Sequence, residues 1–418
     1  MARIVLSTIG SLGDLNPMIA LAIELRKRGH VPVINTWQGY EEKIADLGFE
    51  FWPIRPNVDV EDRELLREIM DARKGPEKIV REIISPHLHE MYEDLATVCE
   101  GADLVINGEV VYVAKSLAEK TGIKWISTSL APLSMFSADD PSIFPTAEIL
   151  EYLRPLPAAF HRAMFGFMLW TISDWFEPYR KFRRDLGLDG GHDPIVEGKY
   201  SPLLHLAMFS RVLGKPQPDW YSPTLQTGFC FYDESETLAL PPALADFLDA
   251  GEPPIVFTLG SAAVMDARNF FDESAGAAKL LGRRGVLLYG RENDPPKGLD
   301  DNIVAFEFAP YSLVFPKAAC VVHPAGVGTT SQVLRAGVPQ LIMPYSHDQP
   351  DNAARCRRAG VAEIIDRDSY TAERAAKTLH KILNNEKYHA NALPLQRIID
   401  AENGTATACD AISDVLQN

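Results

Sequence analysis

Residues 319 to 365 read ACVVHPAGVGTTSQVLRAGVPQLIMPYSHDQPDNAARCRRAGVAEII, and their spacing decides the fold. Two apolar runs, Ala319 to Val322 and Gln340 to Met343, each end in a polar loop that opens into a helical pattern. That alternation is the βαβ rhythm of a parallel sheet, and it places both loops at the carboxyl ends of strands.

In the first loop Ala325, Gly326 and Gly328 remove bulk, and Thr329-x-x-Gln332 is predicted to form a capping box. Unpaired backbone N–H groups are then presented near Thr329 and Thr330, and with the helix dipole they can hold a diphosphate without a lysine. A plain Gly-rich turn whose cap is satisfied internally fits the same residues. The second loop, Tyr345 to Asn352, packs the carboxylate of Asp348, the amide of Gln349 and the imidazole of His347 at the end of the neighbouring strand. Groups of this kind accept from and donate to sugar hydroxyls. The bland alternative is Asp348 as a helix N-cap before Pro350. Together the two loops predict a nucleotide-sugar site.

The stretch resembles the donor signature of family 1 glycosyltransferases, of GT-B fold, in His323, Gly326 to Thr330, Ala336-Gly-Val-Pro339, Asp348-Gln349 and Asn352-Ala353. The Pro after the His and the Asp-Gln-x-Asp-Asn run are most similar to the bacterial branch with rhamnolipid-type and flavonoid glycosyltransferases. The resemblance implies two facing Rossmann-like doubly wound domains and a UDP- or dTDP-sugar as co-substrate, with no cofactor. It implies donor contacts from His323, Gly326, Gly328, Thr329, Thr330, Gln332, Asp348 and Gln349. In strict register the phosphate-binding His falls on Pro324, one residue after His323, and the acidic residue that holds the ribose in many members falls on Gln332. Phe308-Ala-Pro-Tyr311 is similar to the aromatic-Ala-Pro-Gln segment, which implies that Phe308 stacks on the base while the Ala309 backbone pairs with it. Ser261, ending the first strand of the second domain, would help hold the diphosphate.

At the other end of the chain, Ile4 to Ile9 is a short apolar run followed by Gly10-Ser-Leu-Gly-Asp14-Leu-Asn-Pro17 and a helical stretch to Arg28. Asn16 is the expected N-cap, with Pro17 at the first helical position, which leaves Asp14 at the mouth of the strand. Gly10-x-x-Gly13 lacks the third glycine of a dinucleotide fingerprint. In the family this context carries the catalytic base at the position of Asp14; the alternative is an Asp that only receives turn amides. Asn107 stands where an orienting acid is found in members with a histidine base, with Glu109 two residues on.

Further αβ units are predicted to about Ile126. The mostly charged insert from Asp59 to Lys78 is expected to be a solvated, mobile excursion. From Ser127 to Arg184 the chain turns aromatic. Most of these rings are expected to complete a core, while Phe136, Phe144 and Trp170 are candidates to line a hydrophobic acceptor cleft. The basic run from Arg180 to Arg184 reads as a solvated helix face, with peripheral membrane contact as the alternative. The acidic, Pro-containing stretch from Tyr232 to Pro242 reads as a linker. The expected domains are 1–232 for the acceptor, 233–400 for the donor, and a helix at 401–418 returning to the first. Helical pattern after Asp366 is expected to break near Pro394 and Gly404, and Asp366-Arg-Asp368 reads as a surface turn and not a metal site.

Composition agrees. The 418 residues are 46% hydrophobic, and 41 basic against 57 acidic residues give a net charge of −16, which speaks against nucleic acid as a partner. Five widely spaced cysteines with no C-x-x-C argue for a reducing compartment and against structural zinc. With no signal peptide or membrane span in the pattern, a cytoplasmic protein is expected. The expected function is inverting, metal-independent hexosyl transfer from the nucleotide sugar to a hydroxyl of a lipophilic acceptor such as a flavonoid or hydroxy lipid, with Asp14 as base. A nucleotide-sugar epimerase of the same fold and a non-catalytic nucleotide-sugar binding protein are the alternatives.

Overall fold

The structure is a computed structural model that describes residues 1–417 apart from 60–61, 146, 148, 192, 234–238 and 292. Seven short strands form the first sheet: β1 (Arg3–Ser7), β2 (Val31–Thr36), β3 (Glu50–Pro53), β4 (Leu104–Asn107), β5 (Lys124–Ser129), β6 (His205–Ala207) and β7 (Thr224–Gln226). Their order is β3-β2-β1-β4-β5-β6-β7, all parallel, so the chain winds outward both ways from β1 and β4. The second sheet is also parallel: β8 (Ile255–Thr258), β9 (Gly285–Leu288), β10 (Ile303–Phe306), β11 (Cys320–His323), β12 (Gln340–Ile342) and β13 (Ala362–Ile364), in the order β10-β9-β8-β11-β12-β13. The expected doubly wound α/β architecture is present twice. Strands β4, β8 and β9 are continuous runs of buried residues because helices cover both faces.

Seven helices matter for the site: α1 (Leu12–Lys27), α2 (Arg63–Ile69), α3 (Ala158–Thr171), α4 (Val327–Ala336), α5 (Gln349–Arg358), α6 (Lys387–Ala401) and α7 (Gly404–Gln417). Buried Leu21 and Leu25 of α1 share a core with Ala408, Cys409 and Ile412 of α7, so the last helix packs back on the first domain. A different cluster joins the halves: Met135, Tyr200 and Phe209 on one side, Ala325, Ile342 and Ala353 on the other.

Three expectations are corrected here. The insert after Asp59 is not a free excursion, because α2 and the turn after it dock on the second domain. Met70, only 4% exposed, belongs to the core of Phe270, Phe271 and Tyr345, Arg67 lies 3.6 Å from Asp266, and Ser346 Oγ donates to the Asp71 carbonyl. The charges that made the segment look solvated line its outer side. Pro394 does not break a helix, since α6 runs through it with Tyr388, Ala392 and Ile399 buried. Within the basic run, Arg183 is buried and bonded to Glu119, Ser116 and Asp189. All five cysteines are free and buried. Among the described residues no helix is long and apolar enough to cross a membrane.

Candidate active site

The carboxyl ends of β1 and β4 are neighbours, pairing Ser7 with Asn107, and the loops that follow carry Asp14 and Glu109. Helix α1 begins earlier than its sequence suggests. Ser11, and not Asn16, is the N-cap: its hydroxyl accepts from Gly13 N at 3.1 Å, and Pro17 falls inside the helix. Asp14 is therefore the third helical residue and closes a capping box, with Oδ2 accepting from Ser11 N at 2.8 Å and Ser11 Oγ at 3.2 Å. Both bonds fall on Oδ2, and Oδ1 has no hydrogen bond among the described residues. Gly10 has φ +139°, and a Cβ there would meet Asp14 Oδ2 at 2.3 Å, so only glycine lets the loop close over the carboxylate. Burial drives the Asp14 carboxyl up to about 6; the Ser11 donors oppose this and the charge of Glu109 adds to it.

Opposite lies the start of α4. Gly326 is its N-cap, with no side-chain cap, so the predicted Thr329-to-Gln332 capping box does not form. Gln332 instead donates from Nε2 to Asp233 at 3.1 Å. Thr329 and Thr330 are buried, Gly328 is exposed, and a Cβ on Gly328 would lie 3.8 Å from the Gly13 Cα across the domain boundary. The mouths of α1 and α4 therefore face each other. Ser261 is exposed one residue after Gly260, where a Cβ would sit 3.1 Å from Thr329 Oγ1.

His323 is placed differently from the expectation of a phosphate contact. It is fully buried, its Nε2 meets Gln340 Oε1 at 2.9 Å and its Nδ1 accepts from Ala325 N at 3.1 Å. Neither ring nitrogen is left for a phosphate, and burial pushes its pKa down to about 4, so it is a neutral post for the Gly-rich loop.

Asp348 begins α5 without capping it. Its Oδ2 accepts from Val327 N at 3.0 Å and from Asn352 Nδ2 at 2.7 Å, so the carboxylate sits on the first free N–H of α4. Burial raises it to about 7, with the Asn352 and Val327 donors working against the rise and Asp14 adding to it. Gln349 uses Oε1 within its loop, accepting from Tyr345 N at 2.8 Å. Phe308 offers an exposed ring, 40% accessible, beside the buried Ala309. Tyr311, standing where the family has Gln, bonds Thr258 Oγ1 at 2.8 Å and stacks on Phe315.

The aromatic candidates separate. Phe136 and Phe144 are half-buried with centroids 6.1 Å apart, and Phe144 meets Phe165 of α3 edge-on at 5.9 Å. Trp170 does not join them: five residues beyond Phe165 it lies about 140° round the helix, and it stands 72% exposed beside Phe167. The sequence reading named Glu109 but missed that it holds this wall, and missed Lys199 altogether. Glu109 accepts from Leu130 N at 3.0 Å and from Ser134 Oγ at 2.6 Å. Buried Lys199 donates to the Ser134 carbonyl and lies 5.7 Å from the Phe136 ring centre. A lone Lys between Gly198 and Tyr200 carries no periodic signal that could have marked it.

Among the described residues no three His, Cys, Asp or Glu side chains are grouped to hold a metal. Asp366 of the D-x-D accepts from Asp368 N in a short turn, as expected of a surface feature.

Two facing doubly wound domains, with a carboxylate at one strand end and a Gly-rich helix start at the other, define a GT-B transferase. Residues 4–133 match the glycosyltransferase family 28 N-terminal domain, and residues 287–407 match the C-terminal domain of the erythromycin biosynthesis protein CIII-like family. The chain is 31% identical to the O-mycaminosyltylonolide 6-deoxyallosyltransferase of Streptomyces fradiae, over 99% of this chain and 97% of that protein. It is 27% identical to a sterol 3-beta-glucosyltransferase of Leptosphaeria maculans over 98% of this chain, which spans 28% of that longer protein. The solved structure of a spinosyn rhamnosyltransferase complexed with thymidine diphosphate shares the fold, with a TM-score of 0.70 at 17% identity and full coverage of both chains. The chain belongs to family 1 of the glycosyltransferases, in its bacterial branch, and is a glycosyltransferase enzyme.

Proposed function

We propose that this enzyme transfers a hexose, with inversion, from a UDP- or dTDP-linked donor to a hydroxyl of a lipophilic small molecule. The donor lies in the second domain and the acceptor in the first. The observation that carries this reading is the Asp14 carboxylate: its pKa raised to about 6, with no hydrogen bond at Oδ1 among the described residues, and opposite the start of α4. Asp14 takes the proton from the acceptor hydroxyl while that oxygen attacks the anomeric carbon from the side opposite the diphosphate. The C–O bond to the diphosphate breaks in the same step. Charge growing on the leaving group is met by the N–H groups of Gly328 and Thr329 and by the helix dipole.

On the donor side, Phe308 stacks on the base with the Ala309 backbone beside it, Ser261 and the Gly326-to-Thr330 turn receive the diphosphate, and Asp348 and Gln349 address the sugar. Thymidine is favoured as the base by the thymidine diphosphate bound to a structure of the same fold, and a polycyclic or macrolide-like acceptor by the substrates in the relatives' names. Flavonoids and hydroxy lipids suit the half-buried Phe136 and Phe144 equally well, through burial of flat or acyl surface. The test is thermal shift with UDP, dTDP and their glucose conjugates, followed by turnover on flavonoids, sterols, macrolides, hydroxy fatty acids and free sugars. Turnover confined to free sugars refutes the lipophilic acceptor.

A further inference from the structure

Arg355 stands on α5, nearly two turns after Asp348 and Gln349, yet most of what it touches belongs to the first domain. The guanidinium is 4% exposed and all five of its N–H groups are engaged. Nε donates to Asp351 Oδ2 at 2.7 Å on its own helix. One terminal nitrogen donates to Asp140 Oδ2 at 2.5 Å and to the Leu213 carbonyl at 2.9 Å, the other to Ser142 Oγ at 3.2 Å and the Asp140 carbonyl at 3.5 Å. Asp351, fully buried, spends its second oxygen on Ile143 N at 2.9 Å. The segment so gripped, residues 140–143, lies between Phe136 and Phe144. The next turn of α5 repeats the grip less deeply, with Arg358 on Glu151 at 2.5 Å.

A neighbouring position on the same helix grips the donor loop. Asn352, next to Asp351, donates to the Ala325 carbonyl at 3.0 Å and to Asp348 at 2.7 Å. One helix therefore holds both the start of α4 and the aromatic wall. A surface ion pair would carry no such argument, since it contributes little. A buried guanidinium with a full set of partners fixes its neighbours, because every displaced partner leaves a buried charge without its bond.

We propose that Arg355, with Asp351 and Asp140, is a positioning latch that sets the acceptor wall from the donor helix, so that the acceptor is placed in register with the sugar. The inference rests on the reading of Phe136 and Phe144 as acceptor wall. A loosened wall admits water to the anomeric carbon in place of the acceptor hydroxyl, so the latch governs how donor is divided between transfer and hydrolysis.

Asp140→Asn tests it without stranding a buried charge, because Arg355 keeps Asp351, and Arg154, the second guanidinium on Asp140, is 23% exposed and keeps the Pro141 carbonyl. Hydrogen exchange on the unliganded variant is expected to quicken about tenfold or more at residues 139–144 and to stay unchanged in β1 and β4, as local opening requires. With dTDP-glucose or UDP-glucose and a turned-over acceptor, the ratio of transfer to hydrolysis is expected to fall about fivefold or more, while the nucleoside diphosphate binds within about twofold of wild type. Asp140→Glu is expected to restore both. Exchange at the wild-type rate in Asp140→Asn overturns the latch whatever the activity. Exchange that quickens while transfer and hydrolysis fall in equal proportion overturns its role in acceptor placement. If the wild type turns over no lipophilic acceptor but the exchange quickens, the acceptor reading fails and the latch remains.

Discussion

Replacing Asp14 by Asn should cost activity and add stability at once. The amide keeps the cap, since its oxygen, placed where Asp14 Oδ2 lies, can accept from both Ser11 N and Ser11 Oγ, but it cannot take a proton. Turnover should fall by about two to four orders of magnitude, the usual contribution of a general base, with nucleoside diphosphate affinity unchanged. Stability moves the other way because burial raises the Asp14 carboxyl from 3.8 to about 6. A raised carboxyl means that the folded state holds its proton more tightly than the unfolded state. The stabilisation is thus fully present below pH 3.8 and is lost as pH rises through about 6, leaving a cost at pH 7. Two units correspond to roughly 3 kcal/mol, and partial solvent access reduces this to about 1 kcal/mol, so the Asn variant should melt about one or two degrees higher at pH 7. At pH 4.5 the gain should shrink. The assay is a pair of melting curves at the two pH values beside initial rates of nucleotide release, and wild-type turnover or a lower midpoint at pH 7 would refute the reasoning.

In the wild type, kcat should fall on acidification with a midpoint near pH 6 as Asp14 takes up its proton, and a rate flat from pH 8 to pH 5 would count against Asp14 as base. Asp348→Ala removes a carboxylate from Val327 N and from the sugar side of the cleft, so calorimetry should show the nucleotide sugar weakened about tenfold and the free nucleoside diphosphate bound as well or better; equal loss for both would exclude a sugar contact. EDTA should leave turnover intact, because amides and the dipole at α4 already supply positive potential to the diphosphate; loss on chelation with rescue by magnesium would overturn this. Met70→Ala should destabilise by about 2 kcal/mol, read as a lower denaturant midpoint, and a silent substitution would show that α2 does not dock.

What the sequence revealed was local and periodic. The strand-loop-helix units at Asp14 and at Gly326 to Thr330 could be read because apolar runs and glycines mark them directly. The helix start of α1 could not, since Ser11 and Asn16 are equally good caps and only the folded loop selects between them. His323 looked like a ligand from its neighbours, but the bond to Gln340 on the adjacent strand turned it inward. Most opaque were the pairings between distant segments. The charged run at Arg355 to Arg358 has the composition of a solvated helix face, and nothing local signals that Asp140, 215 residues earlier, removes one of its members from water. Met70 was masked in the same way by the charges around it.

The two halves cross-dress at both ends. Helix α7, at the end of the chain, completes a core of the first domain, while Met70, from early in the chain, completes a core of the second. A chimera that joins the first half of this enzyme to the second half of a relative between β7 and β8 would therefore cut through two cores while leaving both sheets whole. Recombination that respects the packing has to carry residues 62–78 with the second domain and residues 404–417 with the first. Exchange of whole domains between chains built this way is thus tied to two short segments that lie on the wrong side of the obvious joint.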